Sequence, residues 1–106
     1  MSPAGFATIW RYEVDPERVE SFERAYGSSG AWATLFTRGT GYLGTELLLE
    51  VGRKGHYLTI DRWSSREDYD RFLSEHRDAY EALDMANDDL TRREVHIGSF
   101  ETFEGG

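Results

Sequence analysis

Hydrophobic and polar residues follow two different periods along the chain. In four segments, strand-forming aromatic and branched aliphatic residues dominate, which predicts strands at 6–14, 42–51, 56–63 and 94–103. Gly-Arg-Lys-Gly at 52–55 predicts a tight turn that joins the second and third strands in a hairpin. Elsewhere the apolar residues recur every three or four positions, as they do on the buried face of a helix.

The first helix is predicted from the signals at its two ends. Asp15 is suited to cap the N-terminus, Pro16 to occupy the first helical position, and Glu17 to interact with the helix dipole. Gly27 is placed to end this helix. A short helical turn is predicted at 31–36, where the apolar residues again share one side.

The second helix is predicted from a capping box and a long apolar stripe. Ser64 and Glu67 have the spacing of a capping box, in which each side chain satisfies a free backbone N–H group. The stripe that follows is spaced by three and four residues and consists of Tyr69, Phe72, Leu73, His76, Tyr80 and Leu83. We therefore predict one continuous helix after the third strand.

The predicted order of elements is β-α-β-β-α-β, which is the order of ferredoxin-like folds. The predicted class is α+β with an antiparallel sheet, in a single domain over 1–106 with its core at about 6–103. The strand at 42–51 is apolar on both sides, with Leu43, Leu47, Leu49 and Val51 on one face and Tyr42 and Leu48 on the other. A sheet with one face in water alternates more cleanly. We therefore expect a second copy of the chain to cover that face as a homodimer.

The composition excludes several classes of function. The chain has 20 acidic and 12 basic residues in 106, for a net charge of −8, so it lacks the basic surface that nucleic-acid binding requires. It has no cysteine, and hence no disulfide or thiolate chemistry. The N-terminus lacks signal-peptide features and no segment has the roughly 20 apolar residues that span a bilayer, which predicts a cytoplasmic protein without membrane contact.

The segment GTGYLG at 39–44 spells the glycine fingerprint of dinucleotide-binding folds. In those folds the fingerprint follows a strand and opens a helix, whose N-terminus holds the pyrophosphate. Here the glycines precede a predicted strand, so no helix dipole would face a phosphate group. We interpret them as a turn and a small residue inside a strand, and predict no nucleotide cofactor.

The titratable residues suggest one candidate base. His76 is on the apolar stripe of the second helix. A buried neutral imidazole there can take a proton from a phenol near pH 7. The alternative interpretation is a structural histidine held by hydrogen bonds. Nothing in the sequence brings His56 and His96 to it, so no metal site is predicted. Asp61 shares a strand face with Trp63 and is interpreted either as a group that orients a polar substrate or as an ion-pair partner.

Three segments resemble the antibiotic biosynthesis monooxygenase family of the dimeric α/β barrel superfamily. They are WATLF at 32–36, GYLGTELL at 41–48 and LTIDRWSSREDYDRFL at 58–73, and the resemblance extends over about 6–103. It implies a homodimer whose two sheets pack into a barrel, with a pocket between sheet and helices in each subunit. Some characterised members of this family oxidise polycyclic phenols to quinones without metal or flavin, and others degrade haem, reduce or monooxygenate quinols, or have no known reaction. In such chemistry an electron-rich phenolate passes an electron to oxygen itself, and the protein deprotonates, positions and desolvates it.

The resemblance also implies candidate residues, with departures. Phenol-oxidising members have a Trp at the end of the third strand, an Asn four residues earlier and a Tyr six residues later. This chain matches with Trp63 and Tyr69 but has Thr59 at the position of the Asn. Phe72 stands where many small members have a His.

The haem-degrading branch of the family fits less well. That branch requires an Asn on the first strand, where Trp10 stands, and a haem-ligating His on the second helix, where Ala82 aligns. We therefore predict that the protein holds no haem, flavin, nicotinamide or metal ion.

The resulting prediction is one cavity for a hydrophobic or aromatic small molecule. We predict His76, Tyr69 and Trp63 as catalytic residues, and as substrate-binding residues Trp32, Phe36, Phe72, Thr59 and Asp61. His76 would be the base, two turns of one helix beyond Tyr69. The two functions that remain are a cofactor-independent monooxygenase acting on phenolic or polycyclic aromatic compounds and a non-catalytic dimeric binding domain.

Overall fold

A computed structural model describes residues 3–103 as a four-stranded antiparallel sheet with helices packed on one face. The strands are β1 (Pro3–Val14), β2 (Tyr42–Leu49), β3 (His56–Trp63) and β4 (Thr91–Phe103). Their order across the sheet is β2-β3-β1-β4, and each neighbouring pair is antiparallel. The predicted α+β, ferredoxin-like architecture is confirmed.

Four α-helices connect the strands. They are α1 (Val19–Tyr26), α2 (Ala31–Phe36), α3 (Arg66–Glu75) and α4 (Arg77–Asn87), with short 3₁₀ helices at Pro16–Arg18 and Asp88–Leu90. The predicted start of the first helical segment is confirmed, since Asp15 accepts a hydrogen bond from the backbone N–H of Glu17 at 3.0 Å. None of the helices within residues 3–103 is long and apolar enough to cross a membrane.

The predicted second helix is in fact two helices. His76 has φ −122° and ψ 28°, so it ends α3 and precedes α4. The N-cap of α3 is Ser65, whose hydroxyl accepts a hydrogen bond from the backbone N–H of Asp68 at 3.1 Å. The predicted capping box of Ser64 and Glu67 is therefore wrong by one position, and Ser64 instead donates a hydrogen bond to the Asp68 carboxylate.

Strand β2 is shorter and more irregular than predicted. A register shift between Tyr42 and Gly44 leaves Leu43 66% exposed, and Val51 lies in the turn after the strand, 98% exposed. The predicted placement of Leu43 and Val51 on one strand face with Leu47 is therefore wrong. The bulge accounts for Leu43, because one extra residue in a strand changes the faces of the residues before it. Val51 is misplaced because the strand already ends at Leu49.

The glycines of GTGYLG serve the backbone. Gly41 has φ +89° in the turn before β2, and Gly44 has φ +142° at the bulge, both in the region that favours glycine. A side chain at Gly41 would also collide with the side chains of Asp68 and Ser64. The segment opens a strand and not a helix, as predicted.

The core lies between the sheet and the helices and is built mainly from aromatic rings. Trp63, Phe22 and Phe72 are its largest fully buried side chains. Phe22 stacks on Tyr26 with ring centroids 4.3 Å apart, and Trp63 packs against Phe36 at 5.9 Å. Offset and edge-to-face pairs of this kind add to the hydrophobic gain from burial.

The other face of the sheet carries apolar side chains that no described helix covers. Ile9 pairs with Ile60 across β1 and β3, and Leu48 pairs with Leu58 across β2 and β3. Leu48 is 42% exposed and Phe100, on β4, is 48% exposed. Single apolar side chains are normal on a protein surface, whereas these side chains lie next to one another on paired strands.

Candidate functional site

A cavity lies between the helix-covered face of the sheet and helices α1, α2 and α4. It contains about 610 Å³ of atom-free space counted to its open mouth, and the centres of water-sized molecules can occupy about 130 Å³ of it. Pockets that hold small molecules are mostly apolar with a few placed polar groups. The lining residues are Trp10, Tyr12, Tyr26, Trp32, Phe36, Thr45, Thr59, Asp61, Tyr80, Asp84 and Glu94.

The sheet positions the polar groups on the cavity floor. Thr59 and Asp61 are two residues apart on β3, so their side chains share one face. Thr45 on β2 is the direct cross-strand partner of Asp61, and its hydroxyl donates a hydrogen bond of 2.6 Å to Asp61 Oδ1. The Tyr42 hydroxyl lies 2.6 Å from Thr45 Oγ1 and extends this network.

Asp61 is an unusual carboxyl group because it is buried without a cation. It is 8% exposed, and within residues 3–103 it takes part in no ion pair. Burial raises the pKa of Asp61 from 3.8 to about 6, and the hydrogen bond from Thr45 opposes this rise in part. Near pH 7 the group is therefore largely ionised yet able to take up a proton.

Two hydrogen-bonding atoms of the cavity walls have no partner in the described part of the chain. They are the hydroxyl of Thr59 and the indole N–H of Trp32. Burial raises the pKa values of the nearby Tyr12 and Tyr26 phenols. The contact of Tyr12 with Thr59 and that of Tyr26 with Trp32 offset this rise only in part, and neither contact has hydrogen-bond geometry. An unpaired buried polar group costs about 1–3 kcal/mol, so a bound molecule or water that pairs with both atoms is favoured.

The mouth of the cavity is acidic. Asp84 on α4 and Glu94 on β4 line it, and both are exposed. Partial burial raises the pKa of Glu94, and repulsion from Asp84 and Asp88 raises it further. Within residues 3–103, no group of three or more His, Cys, Asp or Glu residues is arranged to hold a metal ion.

The sequence of residues 5–83 matches the family model described as "Antibiotic biosynthesis monooxygenase". That match covers well over half of the chain. The chain belongs to this family. The cavity described above lies between the sheet and the helices, where the family resemblance led us to expect a pocket. The predicted family is thus confirmed.

Solved structures of the family and its neighbours have the same fold. SnoaB, a cofactor-independent oxygenase from Streptomyces nogalater, is 23% identical with a TM-score of 0.70, over 96% of each chain. A conserved protein from Methanosarcina mazei Go1 is 13% identical with a TM-score of 0.70, over 94% of each chain. Rv0793 from Mycobacterium tuberculosis is 14% identical with a TM-score of 0.67, over 95% of this chain and 97% of that one. These identities establish the fold alone, and no protein of curated function matches the chain.

The structure brings four of the predicted substrate-binding residues to the cavity. Trp32, Phe36, Thr59 and Asp61 all line it. Phe72 does not, because it is 1% exposed and packs edge-on against Phe36 with ring centroids 5.4 Å apart. Phe72 thus supports the cavity wall from behind.

The three residues predicted as catalytic lie outside this cavity. Trp63 is fully buried at the end of β3 beneath α3, and Tyr69 packs on its ring at 5.6 Å. His76 stacks on Phe72 at 5.2 Å and faces a separate surface groove lined by residues 74–79. The expected shared cavity does not form, because the helix breaks at His76 and because the cavity lies under α2 and α4, away from α3.

Several cavity residues escaped the sequence analysis. Tyr12, Tyr26 and Glu94 carry no motif, and Thr45 lies within GYLGTELL but was not singled out there. Only strand register and packing bring these residues together. Tyr80 was identified as part of the apolar stripe but not as a cavity residue. The alternation on β3 was the one available signal, because it places every second residue of 57–63 on the same buried face.

Proposed function

We propose that this protein is a cofactor-independent monooxygenase that oxidises an electron-rich phenolic or polycyclic aromatic compound, with Asp61 as the base. The single observation behind this proposal is the carboxyl group of Asp61, which is buried at the floor of an aromatic cavity and forms no ion pair within the described residues. A base with a pKa near the working pH is the most effective in general-base catalysis. The family and the likeness to SnoaB support the monooxygenase-like class.

The charge balance of the cavity favours this step. When the ionised Asp61 takes the proton of a bound phenol, the negative charge moves from the carboxylate to the phenolate. One buried negative charge is present before and after, so no additional charge has to be desolvated. The free hydroxyl of Thr59 and the free indole N–H of Trp32 are donors that can stabilise the phenolate oxygen.

The oxidation itself needs only the substrate and molecular oxygen. The deprotonated aromatic compound gives one electron to O₂, and the resulting radical and superoxide combine through a new C–O bond. For a ring CH₂ group that becomes a carbonyl, one oxygen atom stays in the product and the other leaves as water with the two hydrogen atoms. The aromatic walls of the cavity exclude water from this sequence and hold the ring in place.

In this proposal the base is Asp61 and not the predicted His76. His76 is outside the cavity, whereas Asp61 is inside it and has a raised pKa. The positions of Trp63 and Tyr69 favour a supporting role for both, because they pack behind Phe36 and not on the cavity surface.

Oxygen uptake by the purified protein tests the proposed function. We expect consumption of one O₂ for each quinone formed with hydroxynaphthalene or anthrone-type compounds, without added metal, flavin or reductant. The control is the same compound with heat-denatured protein, which corrects for autoxidation. If such compounds bind but no uptake exceeds the control, the protein is a non-catalytic binding domain. Thr59, at the position where phenol-oxidising members have an Asn, is the residue that favours this alternative.

We also propose that the apolar sheet face is the interface of a homodimer. Ile9, Ile60 and Leu48 are the side chains that this contact would bury, as obligate interfaces do with apolar residues at their centre. We expect light scattering to give twice the chain mass, and Ile60→Glu to give the chain mass. Val51→Glu, which adds the same charge at a 98% exposed position, is the control and stays dimeric. A monomeric wild-type protein at micromolar concentration would exclude this interface.

A further inference from the structure

The walls of the cavity have one sign of charge. Among the described residues that line it, three are acidic, namely Asp61, Asp84 and Glu94, and none is Lys, Arg or His. Within residues 3–103, none of the three carboxylates takes part in an ion pair. The negative charge of the cavity is therefore not neutralised by the protein.

Several carboxylates outside the cavity are paired with arginines. Asp15 is paired with Arg92 at 2.9 Å, Asp89 with Arg18 at 2.9 Å, and Glu50 with Arg11 at 2.9 Å. These pairs lie outside the cavity. Arginines therefore pair with carboxylates elsewhere on the protein, and within the described residues none of them pairs with the three cavity carboxylates.

The uncharged part of the cavity is made of aromatic rings. Tyr80 meets Trp32 edge-on with ring centroids 5.0 Å apart, and the ring centroid of Tyr26 lies 6.0 Å from that of Trp32. Tyr12 lies 5.0 Å from Tyr26. Tryptophan and tyrosine rings attract cations through their negative faces, and cages of such rings bind ammonium groups. Tyr80 and Asp84 are neighbours on α4, so a ring and a carboxylate meet at the mouth of the cavity.

Two buried polar atoms indicate that the cavity is built to hold a molecule. Thr59 is 3% exposed and Trp32 is 7% exposed, and the Thr59 hydroxyl and the Trp32 N–H have no hydrogen-bond partner in the described residues. Both side chains line the cavity. They add an independent reason, besides the acidic residues, to expect a ligand with polar groups in the interior.

From these features we infer that the ligand is an aromatic molecule with a protonated amino group, whose ring system lies among the aromatic walls and whose ammonium group lies at the mouth between Asp84 and Glu94. This inference deepens the proposed function by naming the substrate class. The cation would neutralise the repulsion between Asp84 and Glu94. When a phenolate forms in the interior, the ammonium group would also supply a positive charge, which none of the described lining residues provides. Aromatic anions, such as carboxylates, would be rejected because no basic group faces them.

Three probes with the same ring test the charge preference. 1-Naphthylmethylamine is cationic at pH 7.5, 1-naphthalenemethanol is neutral, and 1-naphthoic acid is anionic. In calorimetric titrations at low salt we expect the amine to bind about tenfold more tightly than the alcohol, and the acid to bind most weakly. Added salt should narrow the difference between the amine and the alcohol, because both mouth carboxylates are exposed.

A matched pair of double variants locates the preference. Asp84→Asn with Glu94→Gln should reduce the affinity for the amine by about tenfold and leave the affinity for the alcohol unchanged. Glu17→Gln with Glu20→Gln changes the net charge equally at exposed positions outside the cavity and should leave both affinities unchanged.

The possible outcomes separate this inference from the proposed function. Equal binding of amine and alcohol would overturn the inference, while the aromatic site and the proposed function remain. An amine preference that survives Asp84→Asn with Glu94→Gln would also overturn it, because the ammonium group would then not lie at the mouth. If none of the three probes binds at millimolar concentration, the cavity does not hold aromatic molecules and the proposed function fails as well.

Discussion

Asp61→Asn is expected to lower the rate of oxygen uptake by roughly 10²–10⁴-fold, which is the usual contribution of a general base. Asparagine has nearly the same shape and can accept the hydrogen bond from Thr45, so the change removes the proton acceptor and little else. His76→Ala is the matched control and should leave the rate within about threefold, because His76 lies outside the cavity. Rates of oxygen consumption at pH 8, with the substrate found in the screen, measure both effects.

The pH dependence of the wild-type protein provides a second readout. Because the base acts in its ionised form, kcat/KM should rise with pH through about 6 and level off above it, with a pKa near that of Asp61. In Asp61→Asn this rise should be absent. A rise near pH 6 that persists in Asp61→Asn but disappears in His76→Ala would transfer the role of base to His76.

Asp61→Asn should also make the protein more stable, which excludes unfolding as the cause of lost activity. The fold raises the pKa of Asp61, so it favours the protonated form, and stability falls as pH increases from 3.8 through about 6. A pKa shift of this size corresponds to a loss of about 3 kcal/mol in the free energy of unfolding at high pH. Asp61→Asn should recover this free energy at pH 8 and gain nothing below pH 4. Urea unfolding at both pH values measures the difference, and a destabilised variant at pH 8 would contradict the assigned cost of burying the carboxylate.

Trp63→Ala is expected to lower the free energy of unfolding by about 3–5 kcal/mol, as large-to-small changes of buried aromatic residues do. Trp63 is fully buried, and its ring packs against Phe36, Tyr42, Tyr69 and Phe72. Its removal leaves a cavity in the part of the core that joins β3 to α3. Urea unfolding followed by far-ultraviolet circular dichroism, at a fixed protein concentration, measures the loss.

Trp63→Phe separates packing from a direct role in the reaction. The smaller ring keeps most of the contacts and removes an indole N–H that has no partner in the described residues, so stability should fall by less than in Trp63→Ala. Oxygen uptake should stay within a few-fold of the wild type. A Trp63→Phe protein of wild-type stability that has lost its activity would instead give Trp63 the catalytic role that the family resemblance implies.

Much of the fold was predictable because its signals are local. The hairpin strand at 56–63 was predicted to the residue, and the cap at Asp15 and the turn at Gly41 follow from side-chain and backbone chemistry within a few residues. The errors also have local causes. Ser64 and Ser65 are both good N-caps, and only the hydrogen bond from Asp68 distinguishes them. The helix break at His76 has no proline or glycine to announce it.

The site was less predictable because it depends on register and helix direction. In the hairpin, Glu50 N–H bonds to the carbonyl of His56, so the loop is one residue longer than the predicted turn at 52–55. If the two strands paired one residue out of register, every side chain of one strand would move to the opposite face. The residue opposite Asp61 would then be a neighbour of Thr45 and not Thr45 itself. The predicted catalytic residues Trp63, Tyr69 and His76 lie next to or on α3, whereas the helix that lines the cavity is α4. Nothing in the sequence distinguishes those two helices.

Helix α4 contributes Tyr80 and Asp84 to the cavity and yet contains no buried residue. At its exposed positions, such as Asp84, substitutions usually change the free energy of unfolding by less than about 0.5 kcal/mol. The floor of the cavity is different, because Thr45, Thr59 and Asp61 are buried in the sheet, where a change of side-chain size disturbs the packing around it. Substitutions in α4 can therefore change which molecules the cavity binds during evolution, while the residues on the sheet and their reaction stay the same. Descendants of one ancestral chain would then diverge in substrate range sooner than in chemistry.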